Sequence, residues 1–60
     1  MRTEIDLPEE PRFSVETWAH VGPVKVLELT VIDRYGRDVL VLVGTPEQFA
    51  ALAEAIARAL

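Results

Sequence analysis

The side chains that could perform acid–base or nucleophilic chemistry are few and far apart. Ser14 and the only histidine, His20, fall on the same face of an alternating, strand-like segment. Six residues of extended chain separate them by roughly 20 Å, so they cannot form a nucleophile–base pair within one chain. Glu16 and Glu28 are the only two carboxylates that neighbouring strands could bring together. A solvated sheet face explains them better than an acid–base pair with separated pKa values.

Metal and cofactor sites find little support in the composition. The sequence has no cysteine and one histidine, which excludes disulfides and thiolate sites and leaves zinc almost without nitrogen ligands. A phosphate-binding loop needs several glycines ahead of a helix, and only Gly44 stands there. We therefore expect no cofactor, no metal and no catalytic residue, and we predict that the single chain is not an enzyme.

The charge pattern argues against direct nucleic-acid binding. Ten acidic residues outnumber six basic ones, which gives a net charge of −4. Only Arg34 and Arg37 lie close together, beside Tyr35, and a solvated hairpin tip explains this group more simply than a base-stacking site. No segment approaches the roughly 18 apolar residues of a membrane span, and residues 1–7 lack the apolar core of a signal peptide. We expect a cytoplasmic protein without membrane contact.

Three segments have the periodicity or composition of strands. Arg12 to Ala19 alternates apolar and polar residues, Val24 to Ile32 is rich in β-branched residues, and Asp38 to Val43 is mostly apolar. Val21-Gly22-Pro23 indicates a turn between the first two. Asp33-Arg34-Tyr35-Gly36 fits a type I turn followed by a left-handed glycine. A two-residue turn at Tyr35-Gly36 is the alternative, but it would force Tyr35 to positive φ.

The choice of turn determines which faces of the sheet meet. With the bulged turn, Asp33 opposes Arg37. The valines of the third strand then join the face of Leu27, Leu29 and Val31, and the leucines join the opposite face. The valines are Val39, Val41 and Val43, and the leucines are Leu40 and Leu42.

A helix is the clearest local prediction. Thr45 is the N-cap, Pro46 takes the first helical position, and Gln48 completes a capping box. The helix should run from Pro46 to about Leu60. Its apolar stripe at helical spacing consists of Phe49, Leu52, Ala53, Ile56 and Leu60.

These elements predict an α+β fold: a three-stranded antiparallel β-meander with one C-terminal α-helix packed on one face. Residues 12–60 form the single β-β-β-α domain, and residues 1–11 form an acidic lead-in. A short N-terminal edge strand is an alternative for part of the lead-in, because Thr3, Ile5 and Leu7 alternate with charges.

One helix can cover only one face of such a sheet, so the other face should need a cover. We expect the helix to cover the face that contains Phe13, Val15, Leu27, Leu29, Val31, Val39, Val41 and Val43. The bulged register assigns to that face a predicted interface of Trp18, Val26, Ile32, Leu40 and Leu42. A homodimer, a larger protein partner and the chain's own N-terminal segment are the three candidate covers.

We therefore expect a small non-enzymatic protein-interaction module, a homodimeric regulator or accessory protein of bacterial or phage origin. One alternative is an acidic inhibitor that occupies the nucleic-acid-binding site of a partner protein. Another is an enzyme whose active site forms between subunits, lined by His20, Glu16 or Arg37.

Overall fold

The described part of the chain contains three strands and one helix. The computed structural model describes residues 1–19 and 25–60. Strand β1 spans Arg12–Ala19, β2 Lys25–Ile32 and β3 Asp38–Gly44, and helix α1 spans Pro46–Ala59. The strands form an antiparallel sheet in the order β1-β2-β3. The predicted α+β meander with a C-terminal helix is confirmed. The expected turn at Val21-Gly22-Pro23 and the position of His20 lie outside the described residues.

The turn between β2 and β3 has the predicted form. The Gly36 amide donates to the Asp33 carbonyl at 3.0 Å, and the Asp33 amide donates to the Arg37 carbonyl at 2.9 Å. Gly36 has φ of 82°, in the left-handed region that glycine enters without steric cost. Asp33 therefore opposes Arg37, as the bulged turn requires.

A second irregularity follows in β3 and changes its register. Ile32 pairs with Asp38, whereas Val31 pairs with Leu40, so Val39 is an extra residue between the two rungs. One extra residue inverts the alternation of everything beyond it. The predicted placement of β3 side chains is therefore wrong beyond this point. Leu40 and Leu42 share the face of Val31 and Leu29, and the valines that follow Val39 point the other way.

The helix begins as the sequence predicts. The Gln48 amide donates to Thr45 Oγ1 at 3.1 Å, and the Thr45 amide donates to Gln48 Oε1 at 2.9 Å. Pro46 occupies the first turn, and Arg58 in the last turn complements the negative end of the helix dipole. Leu60 is the C-cap, one residue beyond the last helical position.

The N-terminal segment neither extends nor covers the sheet. Residues 1–11 contain no strand, so the alternative of an N-terminal edge strand is not realised. Glu10, between Pro8 and Pro11, has φ of 52°, which is incompatible with a continuing strand. Ile5 and Leu7 are both exposed, so they do not shelter an apolar face. Glu9 Oε2 lies 3.5 Å from Arg34 Nη1, which places this segment beside the hairpin tip.

The core is very small. Among the described residues only Val31, in the central strand, is buried, with 3% of its surface exposed. The other β2 residues from Val26 to Ile32 are half-buried, and no helix residue is buried. The fold therefore has the predicted β-β-β-α order, but it removes little apolar surface from water within one chain.

Candidate protein-interaction surface

The strand register sorts the sheet side chains into two faces. We call the first the helix-side face, and the second the far face. The helix-side face contains Phe13, Val15, Thr17, Leu27, Leu29, Val31, Leu40 and Leu42. The far face contains Ser14, Glu16, Trp18, Val26, Glu28, Thr30, Ile32, Val41 and Val43.

The five residues predicted to form one interface are divided between these faces. Trp18, Val26 and Ile32 lie on the far face. Leu40 and Leu42 lie on the helix-side face, because the extra residue in β3 turns them over. The structure therefore does not assemble the predicted set of five into one surface. An interface role for either subset stays a prediction.

The start of α1 fixes the helix against the helix-side face. Gly44, opposite Leu27, ends β3, and a Cβ at Gly44 would lie 3.3 Å from Phe49 Cε2 and 2.8 Å from Gln48 Oε1. Such close approach leaves room for glycine only, unless the Gln48 side chain moves. Beside this contact lies an open cleft of about 320 Å³, lined by Leu42, Val43, Gly44, Gln48, Phe49 and Leu52.

Beyond its first turns, α1 has little cover. Phe49 is half-buried, but every residue from Ala50 to Leu60 is exposed. Leu52 and Ile56, on the apolar stripe, keep 40% and 51% of their surface exposed. An amphipathic helix of this length gains most of its stability from packing its apolar face, and within one chain most of this stripe lacks such packing.

The β1 side of the helix-side face is also uncovered. Phe13 and Val15 keep 56% and 60% of their surface exposed although both point to the side where α1 lies. A helix is about 10 Å wide, and three strands about 4.8 Å apart with their side chains form a wider surface. Because α1 is anchored at the end of β3, the strand left without cover is β1. The prediction that the helix covers Phe13 and Val15 is therefore wrong, because one helix is narrower than the sheet face.

The far face is apolar at its corners and charged in its centre. Trp18, Val41 and Val43 are exposed there. Glu16 lies directly opposite Glu28 in the β1–β2 register, and like charges in this position repel each other. Since this pair interrupts the apolar surface, the far face is less suited to close packing than the helix-side face.

The hairpin tip carries the main electrostatic cluster in the described part of the chain. Arg34 and Arg37 lie against the Tyr35 ring, with their guanidinium carbons 5.1 Å and 5.4 Å from its centroid. Asp33 and Glu9 balance these cations, since Arg37 Nε lies 3.4 Å from Asp33 Oδ2 and Arg34 pairs with Glu9. The tip is an internally compensated turn, and the ring that could stack on a nucleobase is already flanked by two arginines.

The residues suggested for an active site between subunits do not converge within one chain. Glu16 lies in the middle of β1 on the far face, whereas Arg37 lies at the hairpin tip, beyond the strand end where Arg12 pairs with Ile32. Four residues of strand separate Glu16 from that end, roughly 13 Å. His20, the third residue, lies outside the described residues.

Other site types find no support in residues 1–19 and 25–60. No group of three or more histidine, aspartate or glutamate side chains in these ranges could hold a metal ion. The single described helix, of 14 residues, is too short to cross a bilayer. The chain matches no protein-family model, no curated protein and no solved structure.

Proposed function

We propose that this chain is a small, non-enzymatic protein-interaction module that works as a homodimer. One observation carries the proposal: in the described part of the chain a single side chain, Val31, is buried. A fold of this size is marginal even with a complete core, and without a disulfide or metal it needs another source of burial. Cysteine is absent from the sequence, so disulfides cannot be that source.

The surface area supports the same proposal. The chain exposes 5182 Å², whereas a compact monomer of its mass exposes about 3,900 Å². Residues 1–7, which are all exposed, account for part of the excess of about 1,300 Å². A standard protein interface buries about 800 Å² per partner, so the excess is of the size that one interface removes.

A second copy of the chain is the simplest partner to propose. Twofold homodimers are the commonest oligomers, and every apolar surface that lacks a cover is present on each copy. The acidic-inhibitor alternative gains nothing from the structure. Glu4 and Glu9 are paired with Arg2 and Arg34, whereas Glu16 and Glu28 lie on the far face.

The solution mass tests the proposal directly. Sedimentation equilibrium or light scattering from micromolar to millimolar concentration should give twice the chain mass of 6.7 kDa. A small folded control protein of similar mass establishes the monomer value on the same instrument. A folded chain that keeps the mass of one copy at millimolar concentration would remove the proposal.

A further inference from the structure

We propose that the two copies join through the helix-side face, with α1 of each protomer packing over Phe13 and Val15 on β1 of the other. The inference rests on the proposed homodimer and specifies which surface forms it. The occupant of the uncovered surface is therefore a second copy of this chain, and the contact is reciprocal.

The two surfaces that meet are complementary in chemistry. Leu52 and Ile56 form an exposed apolar stripe on α1 beyond its contact with the sheet. Phe13 and Val15 form an exposed apolar strip on β1. An isologous interface uses the same surface on both copies, so that if residue i of one copy contacts residue j of the other, residue j of the first also contacts residue i of the second. Both patches lie on the helix-side face of the same chain, so a twofold axis through that face can bring each patch against the other patch of the second copy.

The widths of the elements point to the same arrangement. The helix covers the region next to Gly44 and Leu42 at the β3 edge, where Phe49 is fixed. The remaining width over β1 is roughly that of one more helix. The partner's α1 would fill it, and two helices would then cover the three strands of each sheet.

The exposed area is of the size that such a contact would bury. Helix residues from Ala50 to Ala59 are all exposed, and the outer strand β1 adds Phe13 and Val15. The exposure beyond that of a compact monomer is about 1,300 Å² per chain, part of it at residues 1–7, and is of the same order as the roughly 800 Å² per partner of a standard interface.

The far face is the less favourable surface for the same twofold contact. Glu16 and Glu28 lie opposite each other there, and neither forms an ion pair in the described part of the chain. Burying both carboxylates would add a desolvation cost to their mutual repulsion. None of the eight sheet residues named for the helix-side face is acidic, so burying them carries no such cost.

Two valines provide a matched test of which face is buried. Val15 on β1 and Val43 on β3 are both 60% exposed, both lie on outer strands, and they point to opposite faces. Val15→Asp should weaken dimerisation by about tenfold or more, because it buries a carboxylate in the interface. Val43→Asp should leave the dimerisation constant within about threefold of the unsubstituted chain. Because Val43 also lines the cleft at the helix start, Val41→Asp is a second far-face control.

Cross-linking tests the helix–β1 contact without relying on a destabilising substitution. The chain has no cysteine, so single cysteines can be placed without background. Val15→Cys chains mixed with Ile56→Cys chains should form covalent heterodimers with a short bismaleimide. Val43→Cys chains mixed with Ile56→Cys chains should not.

Each outcome has a defined meaning. Loss of dimer in Val15→Asp alone, together with the Val15–Ile56 cross-link, supports the inference. Loss of dimer in the far-face variants, or absence of the Val15–Ile56 cross-link in a dimer, overturns it while the proposed function stands. If the unsubstituted chain is a monomer, the proposed function itself fails.

Discussion

Asp33 organises the hairpin tip through three contacts. Its Oδ1 accepts hydrogen bonds from the Tyr35 and Arg37 amides, each at 2.9 Å, and its Oδ2 lies 3.4 Å from Arg37 Nε. The Arg37 amide is the largest cause that lowers the pKa of Asp33 below its ordinary value of 3.8, and the Tyr35 amide and the Arg37 charge add to it. The ionised form is therefore favoured in the folded hairpin.

This lowered pKa predicts an acid dependence of stability. The contribution of ionised Asp33 is fully present above its unfolded pKa of 3.8 and is lost as the pH falls through the lower folded value. Asp33→Asn keeps an acceptor oxygen but cannot titrate. The unsubstituted chain should therefore lose more thermal stability than Asp33→Asn between pH about 6 and pH about 2. Circular dichroism measures the thermal unfolding of both proteins. Equal losses of thermal stability would contradict a stabilising role for ionised Asp33.

At the scale of the elements, α1 depends on its N-terminal cap more than most helices do. No residue of α1 is buried in the chain, so packing within one copy contributes little to its stability. The reciprocal hydrogen bonds of Thr45 and Gln48 satisfy two amides that would otherwise lack partners.

Removing the cap should therefore have a measurable cost. Thr45→Ala deletes the hydroxyl that accepts from the Gln48 amide and should destabilise the fold by about 1 kcal/mol. Thr45→Ser keeps that hydroxyl and serves as the matched control. Urea unfolding followed by helical circular dichroism measures both. Indistinguishable midpoints for the two variants would show that the cap is dispensable.

The elements that the sequence predicts well are those with local signals. The capping residues, the Asp33–Gly36 turn and the strand β1 each depend on a few neighbouring residues, and all three elements are confirmed, although the alternation of β1 does not bury one of its faces. The register of β3 has no such signal. Val39 to Val43 is uninterrupted apolar sequence, so a shift by one residue leaves both faces apolar and the pattern cannot place the bulge.

The sequence does not predict which residues share an exposed apolar surface, for two separate reasons. The bulge at Val39 moved Leu40 and Leu42 away from Trp18 and its neighbours. The assumption that one helix covers a whole face then placed Phe13 and Val15 in a core, although both are exposed. The expectation of a cover follows from chain length and composition. Which surface is left uncovered depends on the width of the helix and on where it is attached to the sheet, and hydrophobic periodicity in the sequence gives neither.

At the scale of the whole molecule, the chain is more extended than its length predicts. Its radius of gyration is 13.1 Å, against about 10 Å for a compact domain of the same length. The exposed N-terminal segment and the uncovered part of α1 both contribute to this difference. A second copy packed on the helix-side face would make the assembly, instead of the chain, the compact unit.

Stability should then depend on protein concentration. If folding and dimerisation are coupled, mass action raises the unfolding midpoint as the concentration increases. Thermal unfolding of the unsubstituted chain over a hundredfold concentration range, about micromolar to high micromolar, should show this rise. Val15→Asp should show a lower midpoint with a weaker dependence on concentration. A midpoint that stays constant over this range would contradict the coupling.

Within residues 1–19 and 25–60, the order β1-β2-β3 leaves β1 and β3 as sheet edges of unequal character. Arg12 and Glu16 place charges along β1, whereas Val39 to Val43 in β3 carries none. An uncharged, apolar outer strand with free amides and carbonyls is a template for cross-β growth. Fibres formed by partly unfolded chains should therefore nucleate at β3. A lysine introduced on the far face of β3 would add a charge that opposes this pairing, and it would lie away from the helix-side face proposed for the dimer.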